Sequence, residues 1–179
     1  NAYGWTLDQR SRWSLLSILA TYNHPDSQKL VAAEHVIDTS ARGQLRYLSV
    51  ATVIADRSEK RAIIETVLDP ESDQSLARRR AMSGRLFDFR QPQASRELVG
   101  LVIQRLIDEN STLDHGIRNS LASYTVGSAY SCSADWNQLV DSYLAQPVEL
   151  NPLLINGLRE SRQNNNRCIK AKDLMTTSG

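Results

Sequence analysis

Histidine is the side chain best suited to acid–base chemistry near neutral pH, and this sequence has three, His24, His35 and His115. His115 follows Asp114, and a neighbouring carboxylate can orient an imidazole as a base if a serine or cysteine lies within reach. No Gly-x-Ser-x-Gly elbow is present to supply that nucleophile. We therefore interpret Asp114 as the acid that begins a helix, favoured by the positive end of the helix dipole, and predict no catalytic residue.

Metal and phosphate chemistry lack their usual sequence patterns. There is no His-Glu-x-x-His pair and no Asp-rich calcium loop, and the eight glycines are too scattered to form a phosphate loop. Two separate carboxylates could serve a glycosidase without a local motif, but nothing selects Glu65, Asp88 or Glu97 for that role. The sequence predicts neither a metal site nor a cofactor.

Arginine is the one residue type that clusters. The cluster comprises Arg78, Arg79, Arg80 and Arg85, with Arg90 and Arg96 further along. Residues 41–105 carry 12 Lys and Arg against 8 Asp and Glu, whereas the rest of the chain is net acidic. Guanidinium groups beside a helical groove could hold a phosphate or carboxylate through paired hydrogen bonds, which makes the first four arginines candidate ligand-binding residues. The alternative, which we favour, is a solvated helix face. Nucleic acid is not the expected partner, because Phe87 and Phe89 are the only aromatic residues nearby.

The two cysteines, Cys132 and Cys168, are 36 residues apart and lack the spacing of a zinc site. They could form one disulfide if the chain is extracytoplasmic, either periplasmic or secreted. The alternative is two unrelated thiols.

Composition and charge exclude several classes of protein. The chain has 179 residues, 41% of them hydrophobic and 23% charged, which suits one domain or one helical array. A net charge of +1 excludes an acidic tail and argues against a protein that coats nucleic acid. The sequence shows no membrane-spanning stretch and no signal-peptide pattern. Asn1 and Ala2 resemble the remnant of a cleaved tag, so we expect an excised domain or a chain without its leader.

Helical periodicity dominates the chain. Apolar residues recur at the i, i+3, i+4, i+7 spacing in nine stretches, separated by turn and capping residues. The predicted helix starts fall near residues 6, 26, 41, 58, 73, 92, 112, 133 and 151. The predicted N-caps include Asp26, Ser58, Ser72 or Asp73, and Ser133, and Pro92 is predicted at a first helical position.

The predicted inward stripes include Leu15, Ile18, Leu19 and Tyr22 on the first helix, Leu30, Ala33 and Ile37 on the second, Leu98, Val99, Val102, Ile103, Leu106 and Ile107 on the sixth, and Leu113, Ile117, Leu121 and Tyr124 on the seventh. No stretch alternates like a half-buried strand, so the predicted class is all-α.

The spacing of the helix starts predicts a repeat. Helix pairs would recur every roughly 35–40 residues, between the tetratricopeptide and HEAT lengths. We predict a single all-α domain over residues 3–160, built as a right-handed α–α superhelix of HEAT- or armadillo-like hairpins, with an irregular helical bundle as the alternative. Residues 161–179 are predicted to be a polar, partly irregular C-terminal segment.

Three short segments carry a resemblance to a known family. They are Asp-His-Gly-Ile-Arg-Asn-Ser at 114–120, Ala-Asp-Trp-Asn-Gln-Leu at 134–139 with Tyr143, and Gly-Leu-Arg-Glu-Ser-Arg at 157–162. Together they resemble the C-terminal helical domain of the aminopeptidase N family of zinc aminopeptidases, over about 50 residues. Residues 1–60 have no counterpart, and residues 130–133 replace the expected short glycine turn. The family's zinc site lies in another domain, so the resemblance implies a HEAT-like cap over a catalytic domain.

Repeat period and the lack of a catalytic pattern favour a non-catalytic helical-repeat module that binds a protein or peptide. Two alternatives remain: a cap domain of a larger zinc aminopeptidase, which would pack on the rest of its own parent chain, and an anion or nucleic-acid binder that uses the arginine cluster.

Overall fold

The computed structural model describes residues 7–87, 96–108 and 112–177. All regular secondary structure in these ranges is helical, which confirms the predicted all-α class. The helices are α1 (Gln9–Thr21), α2 (Ser27–Ile37), α3 (Ala41–Ile54), α4 (Arg57–Leu68), α5 (Leu76–Ser83), α6 (Arg96–Asp108), α7 (His115–Ser120), α8 (Ala134–Leu144) and α9 (Pro152–Thr177), and a π-helical segment, Leu121–Val126, continues α7. Predictions for Asp88, Phe89, Arg90 and Pro92 lie outside the described residues.

Side-chain caps set where the helices begin. Ser133 accepts a hydrogen bond from the Trp136 backbone N–H, as predicted. The predicted cap Ser58 is wrong, because Asp56 caps α4 and forms a reciprocal capping box with Glu59. The predicted caps Ser72 and Asp73 are wrong as well, since Ser75 caps α5. Asp26 does lie at the N-cap of α2, but its side chain makes no capping hydrogen bond.

The larger hydrophobic core lies among α4 to α9. Of the predicted α6 stripe, Leu98, Val99, Val102, Ile103 and Leu106 are buried in it, and Ile107 packs against it. In the predicted stripe of the seventh helix, Leu113, Ile117 and Leu121 are buried as well, whereas Tyr124 is 69% exposed. The switch to π-helical geometry from Leu121 onward rotates the later side chains away from the α-helical register, which explains the exposure of Tyr124.

A smaller core lies among α1, α2 and α3. Its buried members are Trp13, Leu16, Ala20, Val31, Val50 and Val53. The predicted inward stripes of the first two helices are wrong: Leu15, Ile18, Tyr22, Leu30 and Ile37 are exposed, and so is Ala33. Both helices carry apolar residues on two faces, and the face that contains Trp13 on α1 and Val31 on α2 is the one buried in this core.

The C-terminal segment is helical as far as the structure describes it, so the prediction of a partly irregular segment is wrong for residues 161–177. Helix α9 continues without a break to Thr177. The run of asparagines favours a loop by intrinsic propensity. The segment is nevertheless held as a helix, because buried Asn165 is hydrogen-bonded to neighbouring residues. Its amide group accepts from the Ser131 and Ser133 N–H groups and donates to the Ser133 carbonyl and to Asn137 Oδ1.

The odd-numbered helices contact one another in succession. Helix α1 packs on α3, α3 on α5, and α5 on α7, and the π-helical segment packs on α9. The even-numbered helices flank this series, with α2 against α3, α4 against α5 and α8 against α9. At the last contact Gly157 of α9 is so close to the Ala122 carbonyl that a Cβ at this position would overlap it.

Candidate binding sites

The structure separates the four arginines predicted to bind a ligand. Arg78 is exposed, and its Nε donates to Gln74 Oε1 at 2.7 Å. Arg80 is exposed and Arg85 is half-buried, and the two line different cavities. The four guanidinium groups therefore do not form one binding surface.

Arg79 has a structural role. It is only 6% exposed, and its Nε and Nη2 donate to the Val67 carbonyl at 3.0 and 2.5 Å. Val67 lies in the last turn of α4, where backbone carbonyls have no partner within the helix. Arg79 therefore supplies hydrogen bonds to a backbone carbonyl at the C-terminus of α4 and is not available to a ligand.

The cavity beside Arg80 has a volume of about 590 Å³ and lies between α5, α7 and α9. Gly116 borders it closely, since a Cβ there would overlap Arg80 Nη2. Asn119 Oδ1 is buried with no hydrogen-bond partner, while its Nδ2 lies 3.1 Å from His115 Nδ1. Arg80 is the one cationic side chain among the described lining residues, so this cavity has limited attraction for an anion.

The cavity beside Arg85 has a volume of about 390 Å³ and brings together Arg10 of α1, Arg46 of α3 and Arg85, which follows α5. Its other lining residues are Trp13, Ser14, Ser17, Ile18, Ser49 and Val50. Sequence reasoning missed Arg10 and Arg46 because they are far from the arginine cluster in the chain. A signal was present, since residues 10, 13, 14 and 17 follow the spacing of one helix face.

Asp114 begins α7, as predicted. Its Oδ1 accepts from the backbone N–H groups of Gly116 and Ile117 at 2.8 and 3.1 Å. The carboxylate is thus used as a helix cap rather than to orient the imidazole of His115. His35 stacks on Tyr47 with ring centroids 3.6 Å apart.

Asp38 is a buried polar centre that the sequence analysis did not single out. It follows α2 and accepts hydrogen bonds from Trp13 Nε1 at 2.7 Å, from Ser40 Oγ at 2.7 Å, and from Gln9 Nε2 at 3.0 and 2.8 Å. Hydrogen bonds from Ser40 and Trp13 hold the pKa of the Asp38 carboxyl well below its ordinary value. The carboxylate joins the start of α1 to the start of α3.

An apolar groove of about 500 Å³ lies between α2, α3 and α4, and Met82 of α5 also lines it. Ten of its thirteen lining residues are apolar. They are Val31, Ala32, Tyr47, Leu48, Ala51, Ile54, Ala55, Ala62, Ile63 and Met82. Five of the ten are aromatic or large aliphatic residues on α2, α3 or α4, and four are alanines, whose small side chains leave the space open.

The remaining candidate acids lie on the surface. Glu97 pairs with Arg57, and its second oxygen is 3.9 Å from Arg61. Glu65 is 3.9 Å from Arg105. In the described part of the chain, no group of three or more His, Cys, Asp or Glu residues could hold a metal ion.

Cys132 and Cys168 lie at disulfide-bonding distance, with Cα atoms 5.2 Å apart. The pair joins the loop before α8 to the second half of α9, next to Asn165. The fold thus satisfies the geometric requirement for the disulfide considered from the sequence.

Among residues 7–87, 96–108 and 112–177, no helix combines the length and apolarity needed to cross a membrane. No protein-family model matches the chain. A search of curated proteins finds no relative.

Proposed function

We propose that this chain is a non-catalytic helical-repeat module that binds apolar side chains of a protein or peptide in the groove between α2, α3 and α4. The groove itself is the observation that carries this proposal. Its volume of about 500 Å³ lies in the range of ligand-binding pockets, and its walls are predominantly apolar.

The arrangement of the groove suits a peptide anchored by a large apolar residue. Tyr47, Leu48 and Ile63 provide a surface of several large side chains, and Ala51 and Ala62 leave room between them. Burial of one Leu or Phe side chain from a partner would contribute about 1.5–3 kcal/mol. Gln28 and Glu59 add polar groups at which a peptide backbone could be oriented.

The order of helix contacts supports the finer interpretation of the fold as a HEAT- or armadillo-like superhelix. In a stack of helical hairpins, corresponding helices of successive hairpins pack side by side. The succession of α1, α3, α5 and α7 follows this pattern, as does the contact of the π-helical segment with α9.

The test compares two neighbouring alanines of α2. Both are exposed, but Ala32 lines the groove and Ala33 does not. A peptide selected by display from a library that varies Leu, Ile and Phe at helical spacing would be titrated by fluorescence anisotropy. We expect Ala32→Leu to weaken its binding by about ten-fold or more, because the added side chain occupies the groove, and Ala33→Leu to leave it unchanged. Failure to select any peptide, or equal binding by both variants, would contradict the proposal.

A second candidate function is that of a cap domain in a larger zinc aminopeptidase. One contact favours it: Trp136 Nε1 donates to Ser161 Oγ at 2.9 Å, and these residues belong to two of the three segments that carry the resemblance. The parent reading frame tests it. A His-Glu-x-x-His motif upstream of this chain would support the cap, and a parent protein that lacks one would contradict it.

A further inference from the structure

We infer that the cavity lined by Arg10, Arg46 and Arg85 binds the phosphate group of a small molecule. This site shares no lining residue with the apolar groove, so it does not rest on the function proposed above.

The strongest observation concerns Arg46. Its Nη1 is buried and has no hydrogen-bond partner. A buried donor on a charged group that lacks a partner is costly, and native structures usually satisfy it. Arg46 also lines the cavity, so rotation of its guanidinium group toward an anion bound there would give this donor the acceptor that the described protein groups do not.

The other two guanidinium groups also have donors to spare. Arg85 Nη2 donates to Thr21 Oγ1 at 2.9 Å, a neutral partner that positions the group without neutralising it. Arg10 is exposed. The pKa of the nearby Asp8 carboxyl is lowered chiefly by hydrogen bonds from Ser11, and the charge of Arg10 contributes less. None of the described residues that line the cavity is acidic, so three positive charges face it without a carboxylate among them.

The donor set matches phosphate better than carboxylate. One guanidinium group satisfies both oxygens of a carboxylate through a bidentate pair. Three guanidinium groups and the hydroxyls of Ser14, Ser17 and Ser49 offer more donors than two oxygens can use, whereas a phosphate presents three or four oxygens and carries up to two charges. A volume of about 390 Å³ admits the phosphate with a small organic group attached.

The site also sits where three elements meet. Arg10 comes from α1, Arg46 from α3, and Arg85 from the turn after α5. A bound phosphate would bridge these elements and stabilise their packing, because a ligand that binds only the folded state raises the melting temperature.

Isothermal titration calorimetry at constant ionic strength tests the site with inorganic phosphate and with glycerol 3-phosphate. We expect both probes to bind, and we expect Arg46→Gln and Arg85→Gln each to weaken binding by about ten-fold to a hundred-fold, the effect of losing one charge-assisted hydrogen bond. The control Arg78→Gln removes an arginine that lies outside the cavity and, among the described residues, donates to Gln74, so it should leave binding unchanged. Circular dichroism establishes that each variant is folded, and Arg85→Gln decides the test if Arg46→Gln does not fold.

A second measurement separates a ligand site from general attraction of anions. Phosphate should raise the melting temperature of the wild-type chain more than sodium chloride of equal ionic strength does, and Arg46→Met should abolish this difference. Without phosphate, Arg46→Met should melt at the same or a higher temperature, since it removes the unpaired buried donor. Absence of phosphate binding, equal weakening by Arg78→Gln and Arg46→Gln, or binding of a single-stranded oligonucleotide without binding of either small phosphate would each overturn the inference.

Discussion

At the scale of single residues, three buried polar side chains fix how neighbouring elements of this fold pack together. Asp38, Arg79 and Asn165 are each less than 10% exposed. Each satisfies backbone or side-chain groups of a neighbouring element, so each fixes how two elements meet. Residue type alone could not identify them, because Asp, Arg and Asn are usually exposed and only the fold determines which ones are enclosed.

Asp38 makes the stability of the α1–α3 region depend on pH. A carboxyl whose pKa is lower in the folded state stabilises the fold fully above the unfolded pKa, about 4, and loses this contribution as the pH falls toward the folded pKa. We expect Asp38→Asn to lower the melting temperature at pH 7, because the amide is a weaker acceptor for Ser40 and Trp13. When the pH is lowered from 7 to 3, the melting temperature of the variant should fall by less than that of the wild type.

Differential scanning calorimetry across this pH range measures both effects. The control is Asp26→Asn, since the Asp26 side chain makes no capping hydrogen bond. A variant Asp38→Asn with the same pH dependence as the wild type would show that this carboxylate is not the linked group.

At the scale of elements, sequence periodicity located the helices but did not determine their buried faces. Predicted and observed starts agree within three residues for every helix except α6, whose predicted start near residue 92 lies outside the described residues. On α1, however, Trp13 and Leu16 are buried while Leu15 and Ile18 are exposed. Successive residues differ by about 100° around a helix, so an element with apolar residues on two faces has two equally regular stripes. The packing of α1 against α2 and α3 selects between them.

The candidate phosphate site illustrates the same limit of prediction from sequence alone. Arg85 was found because it lies near other arginines in the sequence, but its partners in the cavity, Arg10 and Arg46, come from α1 and α3. Their convergence depends on the packing of α1 on α3 and of α3 on α5. No local pattern in the chain encodes those contacts, so the sequence could suggest Arg85 for an anion site but could not suggest its neighbours in the cavity.

The contact between α9 and the π-helical segment requires a glycine. We expect Gly157→Ala to destabilise the chain by about 1–3 kcal/mol, because its Cβ would overlap the Ala122 carbonyl and force the two elements apart. Gly84→Ala is the matched control: its Cβ would lie 3.4 Å from the nearest atom, the Arg80 carbonyl oxygen, with φ at −67°. That control should change stability by less than about 1 kcal/mol. Urea unfolding measures both, and equal effects would contradict the close-packing argument.

The cysteine pair should stabilise the second half of α9. Closing a loop of 36 residues contributes about 2–4 kcal/mol to the free energy of unfolding. Urea unfolding with and without reductant measures this difference, and Cys168→Ser should show the reduced value under both conditions. The mass shift on alkylation of the unfolded, non-reduced chain reports the pairing directly, since two alkylated thiols before reduction would show that the bond is absent.

At the scale of the whole molecule, the described residues form two hydrophobic cores of unequal size. The core among α4 to α9 contains Ile64, Leu98, Ile117, Trp136 and many other buried side chains, whereas the core among α1 to α3 has six. Leu48 of α3 packs against the larger core, and the hydrogen bond from Arg85 to Thr21 also joins the two regions. Burial of apolar area is the main favourable term in folding, so the smaller core supplies less of it.

This inequality predicts that the chain unfolds in two steps, with α1 to α3 opening first. Hydrogen exchange in the native state should show lower protection for amides of α1 and α2 than for amides of α6 and α9.

Val53→Ala should lower protection within α1 to α3 and leave α6 and α9 unchanged, because Val53 is buried in the smaller core. Leu158→Ala, in the larger core, should lower protection throughout, by about 2–5 kcal/mol. Equal protection in both regions would show instead that Leu48 and the Arg85–Thr21 contact couple the cores into one cooperative unit. Since the candidate phosphate site draws residues from α1, α3 and the turn after α5, bound phosphate should raise protection of α1 and α3 specifically.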